Sequence, residues 1–302
     1  MTILGTTETT RTHYDSVANR YGANWGDGPE GSYPANRVRW DIVRSRLRQL
    51  GVKTLLEVGC GEGSPLAVLA ADGYDVRGFD FSGEMIVEAY EKDALGGRVW
   101  VGDATLLESY RDDAEIYREY DAVLALGPFP HLRDEQQAQA LANCADAVKE
   151  GGRVFVELRN ANMALFSLNA YSGELFREIL GDAPESVKAL TEQHFTMGVP
   201  QIAMNTENYG STYSRFNRIE SMPDLFAKAG LTVETIWTYH HHACPPQYET
   251  RDHKWFREAS LALEWPHPAA KWPANPWGVG AHPDAWKGLY RASAVVVESV
   301  KV

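Results

Sequence analysis

The sequence predicts an α/β fold with a doubly wound, mostly parallel sheet of seven strands and two insertions. Short apolar runs alternate with segments of helical spacing between residues 51 and 160, a pattern typical of parallel strands joined by crossover helices. Two later apolar runs, residues 232–239 and 292–302, are expected to be the sixth and seventh strands. The 302 residues exceed a minimal domain of this class, which favours insertions.

The N-terminal part is expected to be helical. Residues 12–25 are predicted to form a helical or loop-like cap, and residues 37–49 have the spacing of an amphipathic helix through Val38, Ile42 and Leu47. The alternating core follows, with strands near residues 53–58, 74–79, 98–101, 120–126 and 152–158 and helices near residues 64–72, 83–92 and 134–149.

The chain is expected to be one domain rather than a string of modules. Its parts are an N-terminal cap (1–50), a core (51–160), a first insert (161–220), final strands (221–240 and 292–302) and a second insert (241–291). Prolines and aromatic residues crowd the second insert, so aromatic packing is expected to order it. The inserts are also candidates for a homodimer face, because aromatic residues are enriched at interfaces. The tryptophans of the second insert are Trp255, Trp265, Trp272, Trp277 and Trp286.

Residues 55–63, with the sequence LLEVGCGEG, are the strongest functional signal. An apolar strand ends in an acid, Glu57, and is followed by glycines at 59, 61 and 63. Glycines at alternate positions allow a tight turn and a close approach of the backbone to a ligand. The start of the next helix supplies backbone N–H groups that lack a partner within the helix. The segment therefore predicts a site for a small polar ligand.

A second strand ending in Asp80 follows about twenty residues later, which suits an acceptor for ribose hydroxyls. Dinucleotide-binding proteins share this acid but carry G-x-G-x-x-G, and the glycines here do not match that phosphate fingerprint. The pattern favours a nucleoside ligand without a phosphate.

These residues resemble the class I S-adenosylmethionine-dependent methyltransferases, of the type that modifies small molecules. The resemblance covers roughly residues 10–160, with a return near 221–240 and 292–302. It implies a Rossmann-like methyltransferase fold whose last strands pair as an antiparallel edge, and S-adenosyl-L-methionine as cofactor. After residues 55–63, the segments that resemble later motifs are residues 78–86, 102–104, 121–127 and 149–156.

The resemblance implies a role for each motif residue in the cofactor-binding core. Glu57 would reach the cofactor ammonium, Asp80 would hold the ribose, and Asp103 with the backbone of Ala104 would address the adenine. Asp103 also fits an ordinary Gly-Asp turn. The expected cofactor residues are Tyr14, Tyr21, Arg37, Glu57, Gly59, Gly61, Gly63, Asp80, Phe81, Asp103, Ala104, Leu126 and Gly127.

The N-terminal cap contributes aromatic and basic candidates. Tyr14 and Tyr21 are similar to cap tyrosines that close over the sulfonium, where a cation beside an aromatic ring is stabilised. Core packing explains them almost as well. Arg37 or Arg39 could pair with the cofactor carboxylate, although a solvated arginine on a basic helix is an equal alternative.

The segment after the fourth strand, residues 126–132, is similar to one in glycine N-methyltransferase-like enzymes. Those enzymes carry an asparagine-serine pair where this chain has Gly127 and Pro128. His131 is the candidate catalytic base, because an imidazole with an ordinary pKa near 6.5 suits base work near neutrality. It could instead cap the next helix or shape the cofactor pocket.

Four residues are candidates for binding the methyl acceptor, beneath a first insert expected to lie over the active site. Arg159 and Asn160 follow the fifth strand and could hold an acceptor carboxylate, with a surface ion pair as the alternative for Arg159. His240 and His242 point to the same face of a strand and could line the acceptor pocket. A metal bound by these histidines and Cys244 is an alternative, but no metal is expected.

The composition is that of a cytoplasmic enzyme without a nucleic-acid or membrane partner. A formal net charge of −12 and a pI near 5.2 disfavour a phosphate backbone as ligand. No apolar stretch approaches the roughly 18 residues that span a bilayer, and the N-terminus lacks the apolar segment of a signal peptide. Three widely spaced cysteines indicate neither a disulfide framework nor a zinc finger.

The predicted function is therefore methyl transfer from S-adenosylmethionine to a small-molecule acceptor by in-line displacement. Nitrogen is favoured slightly over oxygen or carbon on the glycine N-methyltransferase-like segment, and the acceptor itself is open. The alternatives are a nucleotide-dependent oxidoreductase, which the glycine spacing disfavours, and a non-catalytic scaffold that binds a nucleoside.

Overall fold

Two helices precede the sheet in the computed structural model, which describes residues 4–22, 35–111, 119–167, 170–197, 215–242, 258–259 and 290–302. These helices are α1 (Leu4–Tyr21) and α2 (Ala35–Leu50). Ile42, Val43 and Leu47 of α2 are buried, because apolar residues three and four positions apart share one face of a helix. Both helices begin earlier than the sequence pattern suggested.

One sheet forms the centre of the molecule. Within the described residues its strands are β1 (Thr54–Val58), β2 (Asp75–Asp80), β3 (Val99–Val101), β4 (Tyr120–Ala125), β5 (Val148–Asn160), β6 (Phe216–Asn217), β7 (Leu231–His241) and β8 (Ala292–Lys301). Their order is β3-β2-β1-β4-β5-β8-β7. Strands β1 to β5 are parallel, and β8 lies antiparallel between β5 and the edge strand β7. The predicted fold class is confirmed, and the short strand β6, parallel to the end of β5, adds to the expected seven.

Helices cover the sheet. Ser82 caps α4 by accepting a hydrogen bond from the N–H of Met85. The predicted helix near 134–149 ends at Ala147, because Val148 pairs with Tyr120 and already belongs to β5. No helix in the described part of the chain has the length and apolarity that a membrane crossing requires. The helices after α2 are α3 (Ser64–Ala71), α4 (Gly83–Tyr90), α5 (Asp134–Ala147), α6 (Ala164–Ser167), α7 (Ala170–Leu180), α8 (Glu185–Met197) and α9 (Met222–Ala227).

The hydrophobic core lies on both faces of the sheet. Leu56 and Val58 of β1 pack in the same buried cluster as Leu141 of α5, whereas Leu55 belongs to the cluster that contains Val43 of α2. Successive residues of a strand point to opposite faces, which explains this division. Both faces of the parallel strands are covered, so their carboxyl ends remain as the place for a ligand.

The two inserts are described to different extents. Helices α6 to α8 and β6 fall within the first insert, whose residues 198–214 lie outside the described residues. Of the second insert, residues 241–242, 258–259 and 290–291 are described. Its five tryptophans and Cys244 lie outside the described residues, as does the aromatic packing expected for them.

Candidate active site

A cavity of about 340 Å³ lies at the carboxyl ends of the parallel strands. Residues of α1 and α2 line it together with the turns after β1, β2 and β4. This edge is where ligands bind in open α/β sheets, and the volume lies within the roughly 300–1,000 Å³ of small-molecule sites. The cavity is the candidate active site.

Most of the residues expected from the sequence line this cavity, and four do not. Those that line it are Tyr14, Tyr21, Glu57, Gly59, Gly61, Asp80, Phe81, Asp103, Ala104, Leu126, Gly127, His131, Arg159 and His240. Those that do not are Arg37, Gly63, Asn160 and His242.

The glycine-rich turn requires glycine for two different reasons. Gly61 has a φ of 56° and lines the cavity, with its N–H donating to Asp80 Oδ2 at 2.9 Å. Gly63, at a φ of 76°, immediately precedes α3, and a Cβ there would lie 2.5 Å from Leu95 Cδ1. Gly63 therefore serves the packing of the turn rather than the cavity wall, which corrects its expected place beside the cofactor.

Asp80 ends β2 as a buried carboxylate beside the cavity. Burial raises its pKa to about 6, against the N–H groups of Ser82 and Gly61, each of which donates to it at 2.9 Å. Each carboxylate oxygen takes part in one of these bonds and keeps a second acceptor position. The side chain is thus held rigidly and can accept hydrogen bonds from ligand hydroxyls.

Asp103 and Ala104 follow β3. Asp103 Oδ1 accepts hydrogen bonds from the N–H of Thr105 at 2.8 Å and from its hydroxyl at 2.7 Å, which is the turn-forming arrangement noted as an alternative. Its side chain nevertheless lines the cavity. The carbonyl of Ala104 accepts from Tyr110 and Asn143 in the core, so this carbonyl holds the loop in place.

Glu57 is a buried acid at the cavity wall. Its Oε2 has no hydrogen-bond partner among the described residues. Burial raises the pKa of this carboxyl to about 8, although the nearby charge of Arg39 acts in the opposite direction. A buried carboxyl without a partner is costly unless a ligand supplies one.

Arg39, Glu157 and Tyr239 form a buried network at the cavity. The guanidinium of Arg39 pairs with Glu157 Oε2 and donates to the carbonyl of Leu126 at 2.6 Å. The hydroxyl of Tyr239 donates to Glu157 Oε1 at 2.6 Å. Burial opposes the charge of Glu157, but Arg39, Arg159 and Tyr239 hold its pKa below the usual value.

The basic residue of α2 at this cavity is Arg39, not Arg37. Arg37 is exposed and does not line the cavity, whereas Arg39 is buried and does. Two positions along a helix correspond to about 200° of rotation, so the two side chains leave α2 on different faces. Of the two arginines considered from the sequence, Arg39 therefore reaches the cavity and Arg37 does not.

An aromatic cluster closes the side of the cavity beneath α1. The hydroxyl of Tyr14 lies 2.9 Å from Nε2 of His131. The ring of Tyr14 also makes edge contacts with Tyr21 at 5.8 Å and with Phe81 at 6.0 Å between centroids. Burial raises the pKa of Tyr14 far above its usual value, so this hydroxyl keeps its proton.

Arg159 and His240 line the cavity on the side of β5 and β7. The backbone of His240 has a φ of 57°, the left-handed region that residues other than glycine seldom adopt. Burial, followed by the influence of His242 and Arg159, lowers the pKa of His240 well below its usual value. Its ring is therefore neutral near pH 7.

Asn160 and His242 contact other parts of the protein and do not line the cavity. Asn160 donates to the carbonyl of Ala292 at 2.7 Å and accepts from the N–H of Asn162 at 3.0 Å, so both ends of its amide hold the backbone. The ring of His242 packs against that of His240, with 4.8 Å between the ring centroids and a tilt of 32°. No cluster in the described part of the chain is arranged to hold a metal ion.

Glu157 and Tyr239 line the cavity but were not selected from the sequence. Glu157 lies two residues before Arg159 on the same strand, so the period of two in a strand could have placed it on the same face. Tyr239 ends the apolar run of residues 232–239 and directly precedes His240. It is hydrogen-bonded to Glu157, which lies 82 residues away in the sequence. No local pattern in the sequence indicates that pairing.

The fold and the site define an enzyme with a nucleoside-type cofactor, and comparisons with known proteins agree. Residues 55–152 match a family described as a methyltransferase domain. The chain is 31% identical over 170 residues to the ubiquinone biosynthesis O-methyltransferase of Xanthomonas oryzae pv. oryzae (strain PXO99A), covering 55% of this chain and 67% of that protein. The corresponding enzyme of Xanthomonas axonopodis pv. citri (strain 306) is 29% identical over the same length.

Solved structures share the fold at low identity. Magnesium protoporphyrin IX methyltransferase from Synechocystis PCC 6803 has a TM-score of 0.52 and 15% identity, covering 98% of this chain and 100% of that one. An S-adenosylmethionine-dependent methyltransferase from Clostridium acetobutylicum ATCC 824 has a TM-score of 0.51 and 10% identity, covering 93% and 98%.

The chain belongs to the class I S-adenosylmethionine-dependent methyltransferases. It is an enzyme, and its cofactor is S-adenosylmethionine. The alternatives of an oxidoreductase and a non-catalytic scaffold are thereby set aside. The cavity fits this cofactor, because the unpartnered oxygen of Glu57 suits an ammonium group and the remaining acceptor positions of Asp80 suit a pair of hydroxyls.

Proposed function

We propose that this enzyme methylates the oxygen of a small molecule, and specifically a phenolic hydroxyl. The observation that carries the proposal is the hydrogen bond between Tyr14 and His131 at the cavity wall. A hydroxyl must lose its proton to become a good nucleophile, whereas a neutral amine needs no base before it attacks. A part-buried tyrosine-histidine pair at the cavity wall is suited to accept the proton of an oxygen acceptor.

The two residues would act as a relay. The acceptor hydroxyl donates its hydrogen bond to the oxygen of Tyr14, and the proton of Tyr14 is directed to Nε2 of His131. As the acceptor proton moves to Tyr14, the proton of Tyr14 moves to His131, so no free tyrosinate forms. This agrees with the raised pKa of Tyr14. S-adenosylmethionine, when bound, supplies an electrophilic methyl group in line with the acceptor oxygen.

A phenol suits this relay better than an aliphatic alcohol. A phenolic hydroxyl has a pKa of about 10, within reach of a histidine base whose ordinary pKa is about 6.5. The cavity also presents aromatic side chains, among them Phe81 and Tyr239, to which a planar ring can pack. The curated relatives are named as O-methyltransferases, which supports oxygen over the nitrogen that the sequence favoured.

The remaining walls of the cavity would hold the cofactor. Asp80 would accept from the ribose hydroxyls, Asp103 and the backbone of Ala104 would face the adenine, and Glu57 would pair with the ammonium group. Arg39 would contribute its positive charge to the carboxylate end. The other groups proposed to touch the cofactor are the backbone at Gly59, Gly61, Leu126 and Gly127 and the rings of Tyr14, Tyr21 and Phe81.

The test compares matched phenols and anilines in a methyl-transfer assay with radiolabelled S-adenosylmethionine, with products identified by mass spectrometry. We expect the wild-type enzyme to methylate catechols on oxygen and to leave the corresponding aminophenols unmethylated on nitrogen. Tyr14→Phe and His131→Gln should each lower kcat by roughly 10²-fold, the usual contribution of a positioned acid or base. Tyr90→Phe, at an exposed site on α4, is the control. Exclusive methylation of nitrogen, with unchanged kcat in both variants, would refute the proposal.

A further inference from the structure

Arg159 extends from a rigid strand at the side of the cavity proposed for the acceptor. Its backbone lies next to the end of β5 and is paired on both sides, with Ala294 of β8 and with Phe216 of β6. Its side chain is half-buried and lines the cavity together with His240. A binding group on a strand held from both sides keeps its position better than one on a loop.

The charge of Arg159 acts on its neighbours only at a distance, because it helps to lower the pKa values of Glu157 and His240. No hydrogen bond or ion pair joins its guanidinium to any described residue. The nearest candidate, Glu157, has one oxygen on Arg39 and the other on Tyr239, so Arg39 already balances its charge.

The other acids at the cavity have different positions or partners. Glu62 pairs with Lys92 at 2.7 Å. Glu57, Asp80 and Asp103 lie at the ends of β1, β2 and β3, the strands proposed to hold the cofactor. The wall formed by His240 and Arg159 therefore carries an excess of one positive charge, because the ring of His240 is neutral.

We infer that the methyl acceptor carries a carboxylate on the same ring as its hydroxyl and that Arg159 binds this carboxylate. The planar guanidinium forms two parallel hydrogen bonds with a carboxylate, and its single positive charge matches the single negative charge. The inference rests on the proposed function only for the identity of the methylated atom. It defines the substrate class as small aromatic hydroxy acids.

The test uses 3,4-dihydroxybenzoate and its uncharged analogue 3,4-dihydroxybenzamide as probes. Calorimetric titration into the enzyme saturated with S-adenosylhomocysteine measures binding without any turnover. The wild-type enzyme should bind the acid at least 10-fold more tightly than the amide. Arg159→Gln should reduce acid binding by roughly 10- to 100-fold, as expected for hydrogen bonds to a charged group, and leave amide binding within about 2-fold.

Two further variants complete the test: one separates the charge of the side chain from its shape, and the other is a surface control. Arg159→Lys keeps the charge but not the two parallel hydrogen bonds and should recover part of the preference. Arg98→Gln, which loses a surface ion pair with Asp75, should behave as wild type. Circular dichroism and the affinity for S-adenosylhomocysteine report whether each variant remains folded.

The outcomes also distinguish this inference from the proposed function. Equal binding of acid and amide by the wild-type enzyme, no binding of the acid at millimolar concentration, or a preference that survives Arg159→Gln would overturn the inference. An Arg159-dependent preference for the acid, together with methylation only of the amine in aminobenzoates, would support the inference and refute the proposed methylation of oxygen.

Discussion

The raised pKa of Glu57 leads us to predict that cofactor binding releases a proton from this residue. With a pKa of about 8, the buried carboxyl is mostly protonated in the free enzyme at pH 7. Pairing with the cofactor ammonium would stabilise the ionised form and lower this pKa. A group with a pKa of 8 is about 0.9 protonated at pH 7, so the ionisation of Glu57 should release roughly 0.9 proton per site at pH 7 and roughly 0.1 at pH 9. The difference between wild type and Glu57→Gln isolates this contribution from the proton that the cofactor amino group takes up.

Calorimetry measures this release directly. The binding enthalpy of S-adenosylmethionine is determined at pH 7 in phosphate and in Tris, whose ionisation enthalpies differ, and the difference in enthalpy gives the number of protons exchanged. Glu57→Gln keeps the shape of the protonated acid but cannot ionise, so its proton release should disappear. Its affinity for the cofactor should fall at least 10-fold, because a charge-assisted hydrogen bond is lost.

The stability of the free enzyme provides an independent check. The folded pKa of Glu57 lies above its ordinary value of 4.5, so the folded state binds this proton more tightly than the unfolded state. The resulting stability is fully present below pH 4.5 and is lost as the pH rises through 8. Glu57→Gln should therefore be more stable than wild type at pH 9. Buffer-independent enthalpies at pH 7, with a variant no more stable than wild type at pH 9, would refute the reasoning.

Three further predictions concern the framework around the site. Glu298 is fully buried between Arg46 and the indole N–H of Trp237. Glu298→Ala should cost about 3–5 kcal/mol of unfolding free energy in urea, because it leaves the charge of a buried arginine without a counter-ion; a loss below 1 kcal/mol would contradict this. Burial disfavours the ionised form of Asp121, but Lys149 and the N–H groups of Lys53 and Thr54 lower its pKa from 3.8 to about 2. This stability is present above pH 3.8 and is lost as the pH falls through 2, so wild type and Asp121→Asn should differ in thermal stability at pH 6 and converge near pH 2; a constant difference would refute it. His240→Asn should keep the thermal stability within a few degrees, since asparagine tolerates a positive φ, while the acceptor KM rises; His240→Val should destabilise by about 1–3 kcal/mol, and equal stability of the two variants would argue against backbone strain.

The cofactor half of the site could be predicted from the sequence because it is encoded locally. The turn after β1 and the acid that ends β2 are short segments whose residues act close to where they occur in the chain. The N–H of Gly61, in the turn after β1, donates to Asp80 at the end of β2, and β1 and β2 are neighbouring parallel strands. Even in this half of the site, only the tertiary structure revealed that Gly63 is needed for close packing against Leu95.

The acceptor half could be predicted only in part. His131 and Arg159 were selected because they follow strands, and the carboxyl ends of parallel strands share one edge of a sheet. His240 was selected because it shares one face of a strand with His242. Asn160 follows the same rule, yet its amide holds the backbone of the neighbouring strand. A position at the end of a strand therefore indicates the edge of the sheet, but not whether a side chain points into the cavity.

By itself the sequence determined the parallel strands and crossover helices of the core and the glycine-rich turn after β1, because hydrophobic periodicity and glycine conformation are properties of consecutive residues. Only the tertiary structure decided which arginine of α2 reaches the cavity, and it alone paired Tyr14 with His131 across 117 positions and Arg39 with Glu157 across 118. The physical reason is that such contacts arise from the packing of whole elements, and that packing determines which face of a helix is buried and which charges are balanced before a ligand arrives.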